Sequence, residues 1–176
     1  MHSHGIVIKN LIKMLQKKSQ IRVAEIGLGR AGMFSGILES VPGVISEYWG
    51  IDPFSSLFAT SHEKKRYKNG GGDFYFLKAC KMMSRYSQLH IARAASPGIA
   101  KIFPDKFFDL IFIDADHSYD AVKADILAWL PHVKLQRFLT GHDYFHREPG
   151  VAKAVDEIFG TNFILIKRVW IHQRRV

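Results

Sequence analysis

Three groups of residues in this chain have the types and spacing that ligand binding and proton transfer require. The first is Glu25-Ile26-Gly27-Leu28-Gly29-Arg30-Ala31-Gly32, where an apolar run enters a glycine-rich turn that opens into a helix-like stretch, Met33 to Ser40. A strand end, a glycine loop and a helix N-terminus together present backbone N–H groups to a nucleotide-like ligand. The spacing G-x-G-x-x-G alone suits a dinucleotide. Glu25 points elsewhere, because a carboxylate at the end of a buried strand is costly unless it meets a cation or donors. The ammonium group of a bound methionine moiety is a suitable partner, so the motif raises S-adenosylmethionine and NAD together. Asp52, 20 residues after Gly32, can accept hydrogen bonds from both hydroxyls of a ribose and serves either ligand.

The second group is Asp114, Asp116 and His117, directly after the apolar run Phe107 to Ile113. Packing seldom needs three ionisable residues there. Asp116 or Ser118 can cap the helix that follows. His117, with an ordinary pKa of about 6.5, is a candidate general base. The third group is His142 and Asp143, which adjacent parallel strands would bring near Asp114. Asp114 and Asp143 together can hold a divalent cation. His142 as a further ligand suits manganese, iron or zinc better than magnesium, which prefers oxygen. The competing reading is that these residues only hydrogen-bond loops or substrate. Tyr119, Tyr144, Phe145 and His146 either line a pocket or pack, and packing is the simpler expectation.

Apolar periodicity supplies the elements that must position these groups. Val7, Leu11, Met14 and Leu15 predict an amphipathic helix over residues 5–18. Strands are expected over 21–26, 44–51, 88–93, 107–113 and 133–140. Helices are expected over 32–41 and 73–86, then around Val122, Ile126 and Trp129, and around Val151, Val155, Ile158 and Phe159. Pro42, Pro131 and Gly160 end three of them. Residues 53–72, with a basic cluster and Asn69-Gly70-Gly71-Gly72, read as a loop or lid. Two last strands, about 162–167 and 168–174, form an antiparallel hairpin. The predicted fold is α/β: a Rossmann-like, doubly wound, seven-stranded, mostly parallel sheet. It occupies one domain over residues 1–176, an N-terminal helical segment (1–20) preceding a core (21–176). Such sheets bind ligands at the carboxyl ends of their strands, where all three groups, Asp52 and the stretch Arg93 to Ser96 fall.

Composition narrows the partners. The chain has 176 residues, 47% of them hydrophobic and 12% aromatic, which excludes a disordered chain and allows a sizeable core. No apolar run approaches the roughly 20 residues that span a bilayer, so no membrane partner is expected. Met1-His2-Ser3-His4-Gly5 lacks the regions of a signal peptide, and a single cysteine, Cys80, forms no internal disulfide. A reducing cytoplasm is the expectation. Lys and Arg number 25 against 16 Asp and Glu, giving +9. Such charge can attract nucleic acid. No aromatic stacking positions accompany Lys9, Lys13 and Lys17, the cluster Lys64-Lys65-Arg66 with Lys68, or Arg174-Arg175. Solvated faces are the simpler reading, and a homo-oligomer stays open.

Five segments occur in a telling order: Glu25 to Gly32, Gly50-Ile51-Asp52-Pro53-Phe54, Phe108 to Asp125, Gly141-His142-Asp143-Tyr144, and Pro149 to Asp156. Together they resemble the class I S-adenosylmethionine-dependent methyltransferases. The branch is a small bacterial-type one with Asp-x-Asp-His-x-Tyr after the fourth strand, related to the catechol and caffeoyl-CoA O-methyltransferases. The resemblance covers about residues 20–174. It implies that Glu25, Gly27, Gly29 and Gly32 hold the methionine part, Asp52 the ribose, and Ser96 lies near adenine, with Asp114 bordering the cofactor. Asp114 matches the first metal-binding aspartate of metal-dependent relatives. His142-Asp143 stands where they carry Asp-Asn, and Leu135-Gln136-Arg137 where the family carries Pro-Gly-Gly. The implied activity is in-line methyl transfer to an oxygen of a small molecule. Asp114, His117, His142 and Asp143 form the catalytic set, and magnesium or manganese at Asp114, His142 and Asp143 is a candidate aid. The alternatives are an NAD-dependent oxidoreductase, an RNA or DNA methyltransferase on the same fold, and, last, a metal-dependent hydrolase. No Asn/Asp-Pro-Pro-aromatic segment for gripping a flipped base is present.

Overall fold

Alternation of apolar residues along the strands builds a sheet with a core on each face. The computed structural model describes residues 3–16, 20–30, 32–55, 67–145 and 149–175. Helix α1 (Ser3–Leu15) is followed by β1 (Ile21–Ile26), α2 (Met33–Ser40), β2 (Ile45–Asp52), α3 (Gly71–Met83) and β3 (Leu89–Arg93). Then come β4 (Phe108–Ile113), α4 (Tyr119–Trp129), β5 (Val133–Gly141), α5 (Gly150–Phe159), β6 (Ile164–Ile166) and β7 (Val169–Gln173). The sheet has seven strands in the order β3-β2-β1-β4-β5-β7-β6. The first five are parallel, and β7 pairs antiparallel with both β5 and β6. Strand order reverses between β1 and β4, and this topological switch point is where such sheets open a crevice.

Ile21 and Val23 of β1 join the core under α1 and α2, while Ala24 and Ile26 join the core under α4 and α5. Ile8, Ile12, Phe34 and Ile37 fill the first side; Ile126, Trp129 and Val155 fill the second. Each such side chain contributes about 1.5–3 kcal/mol by leaving water. All six residues of β4 are buried, Asp109 included. Asp109 accepts a hydrogen bond from the Arg22 backbone N–H (3.0 Å) and faces Lys134 Nζ (2.6 Å) and Arg137 Nε (3.1 Å). Arg137 is the last residue of the segment that replaces Pro-Gly-Gly. The departure therefore supplies a cation to the buried acid at the amino edge of the sheet.

Element bounds differ from the sequence expectation by a few residues. The largest difference is in 53–72: Gly71 and Gly72 already belong to α3. A Cβ on Gly72 would lie 2.0 Å from the Phe54 carbonyl oxygen, so glycine lets the helix start lie against the turn after β2. Residues 56–66 of that stretch lie outside the described residues. Strand β6 is shorter than expected, because the Asn162 N–H donates to Phe159 and closes the end of α5 instead (2.8 Å).

Candidate active site

Strand register fixes the glycine loop at the switch point. The Gly27 N–H donates to Ile51 of β2 (2.8 Å), and the Asp114 N–H donates to Ile26 of β1 (2.8 Å). Gly27 has φ +92°, and a Cβ there would come 2.2 Å from the Asp114 carbonyl oxygen. No other residue fits this turn without moving β4. Asp52 then ties the loop to β2. Its Oδ2 accepts the Gly29 N–H (2.8 Å), its Oδ1 accepts the Phe54 N–H (2.6 Å), and the Tyr67 hydroxyl lies 3.3 Å from Oδ2. Asp52 is nearly buried, and burial pushes its pKa up against these donors. Gly27, Gly29, Asp52, Ser96, Asp114 and Asp125 all line one cavity of about 270 Å³.

Glu25 lies outside the lining of that cavity. It alternates with Val23 toward the α1–α2 face, and there the Tyr48 hydroxyl donates to its Oε2 (2.6 Å). Burial, reinforced by the charges of Asp114 and Asp52, pushes its pKa up to about 8 despite that bond. The carboxyl thus holds its proton at neutral pH. Its neighbour is a phenol from β2, whereas the sequence reading set it facing a ligand amine. Gly32 also lies off the cavity, at the start of α2. A Cβ added there meets nothing within 4 Å. In a dinucleotide fingerprint the third glycine permits close helix–strand packing. Gly32 has no such task.

The second and third groups meet as the sequence predicts. Ile113 of β4 pairs with Gly141 of β5, and the His142 N–H donates to Ile113 (3.0 Å). His117 Nε2 lies 3.8 Å from Asp114 Oδ1 and 3.4 Å from Asp143 Oδ2. His142 Nδ1 lies 3.8 Å and 3.2 Å from the same two oxygens. Arg168 Nη2 holds Asp143 Oδ1 at 2.6 Å. Burial acts to raise the Asp143 pKa. The hydrogen bond and charge of His142, with His117 and Arg168, outweigh it and hold the carboxyl at about 2. Asp114, His117 and Asp143 each offer a ligand atom within 4.8 Å of the others. One imidazole with two carboxylates suits a borderline divalent ion. This trio keeps both carboxylates of the expected one and has His117 where His142 was expected. Of the two capping candidates, Asp116 accepts the Ser118 N–H (2.7 Å), and the Ser118 side chain makes no cap bond.

Two residues of the site escaped the sequence reading. Asp125 lies on the buried face of α4, where the Ser96 hydroxyl donates to its Oδ1 and Trp129 Nε1 donates to Ser96 Oγ (2.8 Å). Burial pushes the Asp125 pKa up to about 6. Its signal was available: a carboxylate three residues after Val122 and four before Trp129, inside an apolar stripe. His4, in the first turn of α1, stands edge-on to His142 at 4.5 Å between ring centres. It precedes Ile8 by four residues on the packed face of the helix, which was its signal. Tyr119 and Tyr144 direct their hydroxyls to Glu157 and Asp156 of α5 and belong to the packing. Phe145 is exposed, and His146 lies outside the described residues.

Fold and site define a Rossmann-like protein with a cavity at the switch point of its sheet. A family model described as a methyltransferase domain matches residues 25–144, from the acid before the glycine loop to the tyrosine after His142-Asp143. The chain belongs to that family, whose methyl donor is S-adenosylmethionine, and this decides against the nicotinamide reading. Among solved structures it is similar to the O-methyltransferase NovP, with 16% identity over 98% of this chain and 80% of that one, and a TM-score of 0.68. It is also similar to CalS11, a TDP-rhamnose 3'-O-methyltransferase of calicheamicin biosynthesis (16% identity, 98% and 81% coverage, TM-score 0.62). The CurJ carbon methyltransferase matches comparably (16% identity, 98% and 54% coverage, TM-score 0.61). At these identities the likeness is one of fold. None of the curated proteins matches the chain. Among the described residues no helix is long and apolar enough to cross a membrane.

Proposed function

We propose that this protein moves the methyl group of S-adenosylmethionine to an oxygen of a small molecule, in the cytoplasm. One observation carries the reading: beside the lined cavity, two imidazole nitrogens stand within 3.2–3.8 Å of the same two carboxylate oxygens. That arrangement can take a proton from an acceptor hydroxyl and keep the resulting charge balanced. Gly27 and Gly29 line the methionine part of the cavity, and Asp52 takes the ribose. Glu25 acts from beneath, as a neutral group bracing the loop through Tyr48. Ser96 and its neighbours enclose the base.

The donor supplies an electrophilic methyl carbon; the chain supplies position and proton handling. The acceptor oxygen forms the new bond to that carbon as the sulfur–carbon bond breaks. The hydroxyl proton passes to His117 or His142, and Asp114 and Asp143 stabilise the charged ring. Holding the two reactants in line can itself lower the barrier by several kcal/mol. A divalent cation, magnesium or manganese, fits Asp114 and Asp143 with His117 or His142, and when bound would lower the acceptor pKa and orient it. The mixed nitrogen and oxygen donors favour manganese of the two.

The test is transfer of labelled methyl from S-adenosylmethionine to a panel of small hydroxylated, aminated and carbon acceptors, with EDTA and with added manganese. Methylated ethers as the favoured products support the reading. Products confined to nitrogen or carbon acceptors, or to RNA, would overturn the acceptor assignment.

A further inference from the structure

Asp125 brings an unused acceptor to the wall of the cavity. The residue is 3% exposed, yet it lines the cavity together with Ser96, Pro97 and Ala121. The Ser96 hydroxyl gives its one proton to Asp125 Oδ1, and its oxygen already accepts from Trp129 Nε1. Ser96 therefore has no donor left for a ligand. Among the described residues nothing donates to Asp125 Oδ2. The residue is nearly buried but borders the cavity, so Oδ2 keeps its acceptor capacity for whatever the cavity holds. With a pKa of about 6 the group is mostly ionised at pH 7 and can only accept. The same cavity is also lined by Ile51, Pro53 and Ala95, which are apolar. A flat ring with an N–H₂ on its edge satisfies both features at once.

Resting on the reading that this cavity holds S-adenosylmethionine, we propose that Asp125 reads the nucleobase. Its free oxygen accepts a hydrogen bond from the exocyclic amine of adenine and rejects a base that carries a carbonyl there. A hypoxanthine ring would set one acceptor against another. Residues that only tie Ser96 to α4 would not tell the two bases apart, so base selectivity separates reading from architecture.

The experiment is equilibrium binding of S-adenosylhomocysteine and of its deaminated counterpart, S-inosylhomocysteine, to the full chain and to its Asp125→Asn variant. The wild type is expected to prefer the adenine compound by about 100-fold, the scale of a lost charge-assisted hydrogen bond. In Asp125→Asn the amide can turn either edge to the base, and the preference should fall below about fivefold. The N6,N6-dimethyl analogue, which cannot donate, should bind the wild type at least about tenfold more weakly than the parent. This third measurement needs no variant and decides the matter if Asp125→Asn does not fold. Equal binding of both bases by the wild type, or an undiminished preference in a folded Asp125→Asn, overturns the assignment of Asp125 and leaves the donor site standing. Binding of neither compound overturns the donor site, and this inference with it.

Discussion

Buried acids at the two edges of the sheet are held differently, with Asp143, paired to Arg168 at the carboxyl edge, the exception. At the amino edge Asp109 faces two cations, Lys134 and Arg137, and a backbone N–H. At the carboxyl edge Glu25, Asp52 and Asp125 are almost as buried. Their partners among the described residues are a phenol, backbone N–H groups and hydroxyls, none of them charged. Burial raises the pKa of all three. Asp109, held by two cations and a backbone N–H at the edge away from the cavity, has little left to offer a ligand. An acid supported by neutral donors keeps acceptor capacity or a proton. On the proposed reading, the contrast separates an architectural amino edge from a working carboxyl edge.

Substitution at each edge should separate the two roles. Asp114→Ala is expected to lower turnover by at least about 1,000-fold through loss of proton handling, while affinity for S-adenosylhomocysteine stays within a few-fold. Near-normal turnover in this variant would remove Asp114 from the catalytic set. Asp109→Ala should do the reverse. It leaves Lys134 and Arg137 facing each other without their acid, at a cost of about 2–4 kcal/mol in denaturant unfolding, toward the lower end because both cations are partly exposed. Turnover per folded molecule should not change.

Glu25 sharpens the comparison through pH. Its carboxyl binds a proton more tightly in the folded chain (about 8) than in the unfolded one (about 4.5). Its contribution to stability is therefore complete below pH 4.5, declines between 4.5 and 8, and is gone above the folded value. Glu25→Gln mimics the neutral acid and should remove that decline, a difference of a few kcal/mol between the two proteins at the alkaline end. Thermal unfolding from pH 5 to 9 reads it directly. Parallel curves for the two proteins would mean that Glu25 is ionised throughout.

The smallest effect concerns the glycines. Gly27→Ala must displace the loop or β4, and affinity for S-adenosylhomocysteine should fall about tenfold or more. Gly32→Ala enters open space and should change it by less than about twofold. Equal losses in both variants would restore Gly32 to the binding loop.

Much of this arrangement was legible in the chain. Buried parallel strands read as unbroken apolar runs, and the rule that ligands gather at their carboxyl ends placed Asp52, Asp114, His142 and Asp143 on one edge before any coordinate was needed. Sequence order could not say which way Glu25 faces, because that depends on strand alternation beneath a loop, and its partner Tyr48 is 23 residues away. Gly32 matched a pattern whose steric reason is absent here. Asp125 and His4 are invisible to apolar periodicity, which passes over a polar residue inside an apolar stripe although its place there is informative. The start of α3 inside an expected loop rests on one close backbone approach, at Gly72, which no local propensity encodes.

The most direct test of the working face is calorimetric titration of the wild type and of Asp52→Ala with S-adenosylhomocysteine, with NAD as control. The predicted result is one site per chain in the wild type, affinity lower by at least about 100-fold in a folded Asp52→Ala, and no heat from NAD. Binding of NAD, or unchanged affinity in Asp52→Ala, would contradict the account.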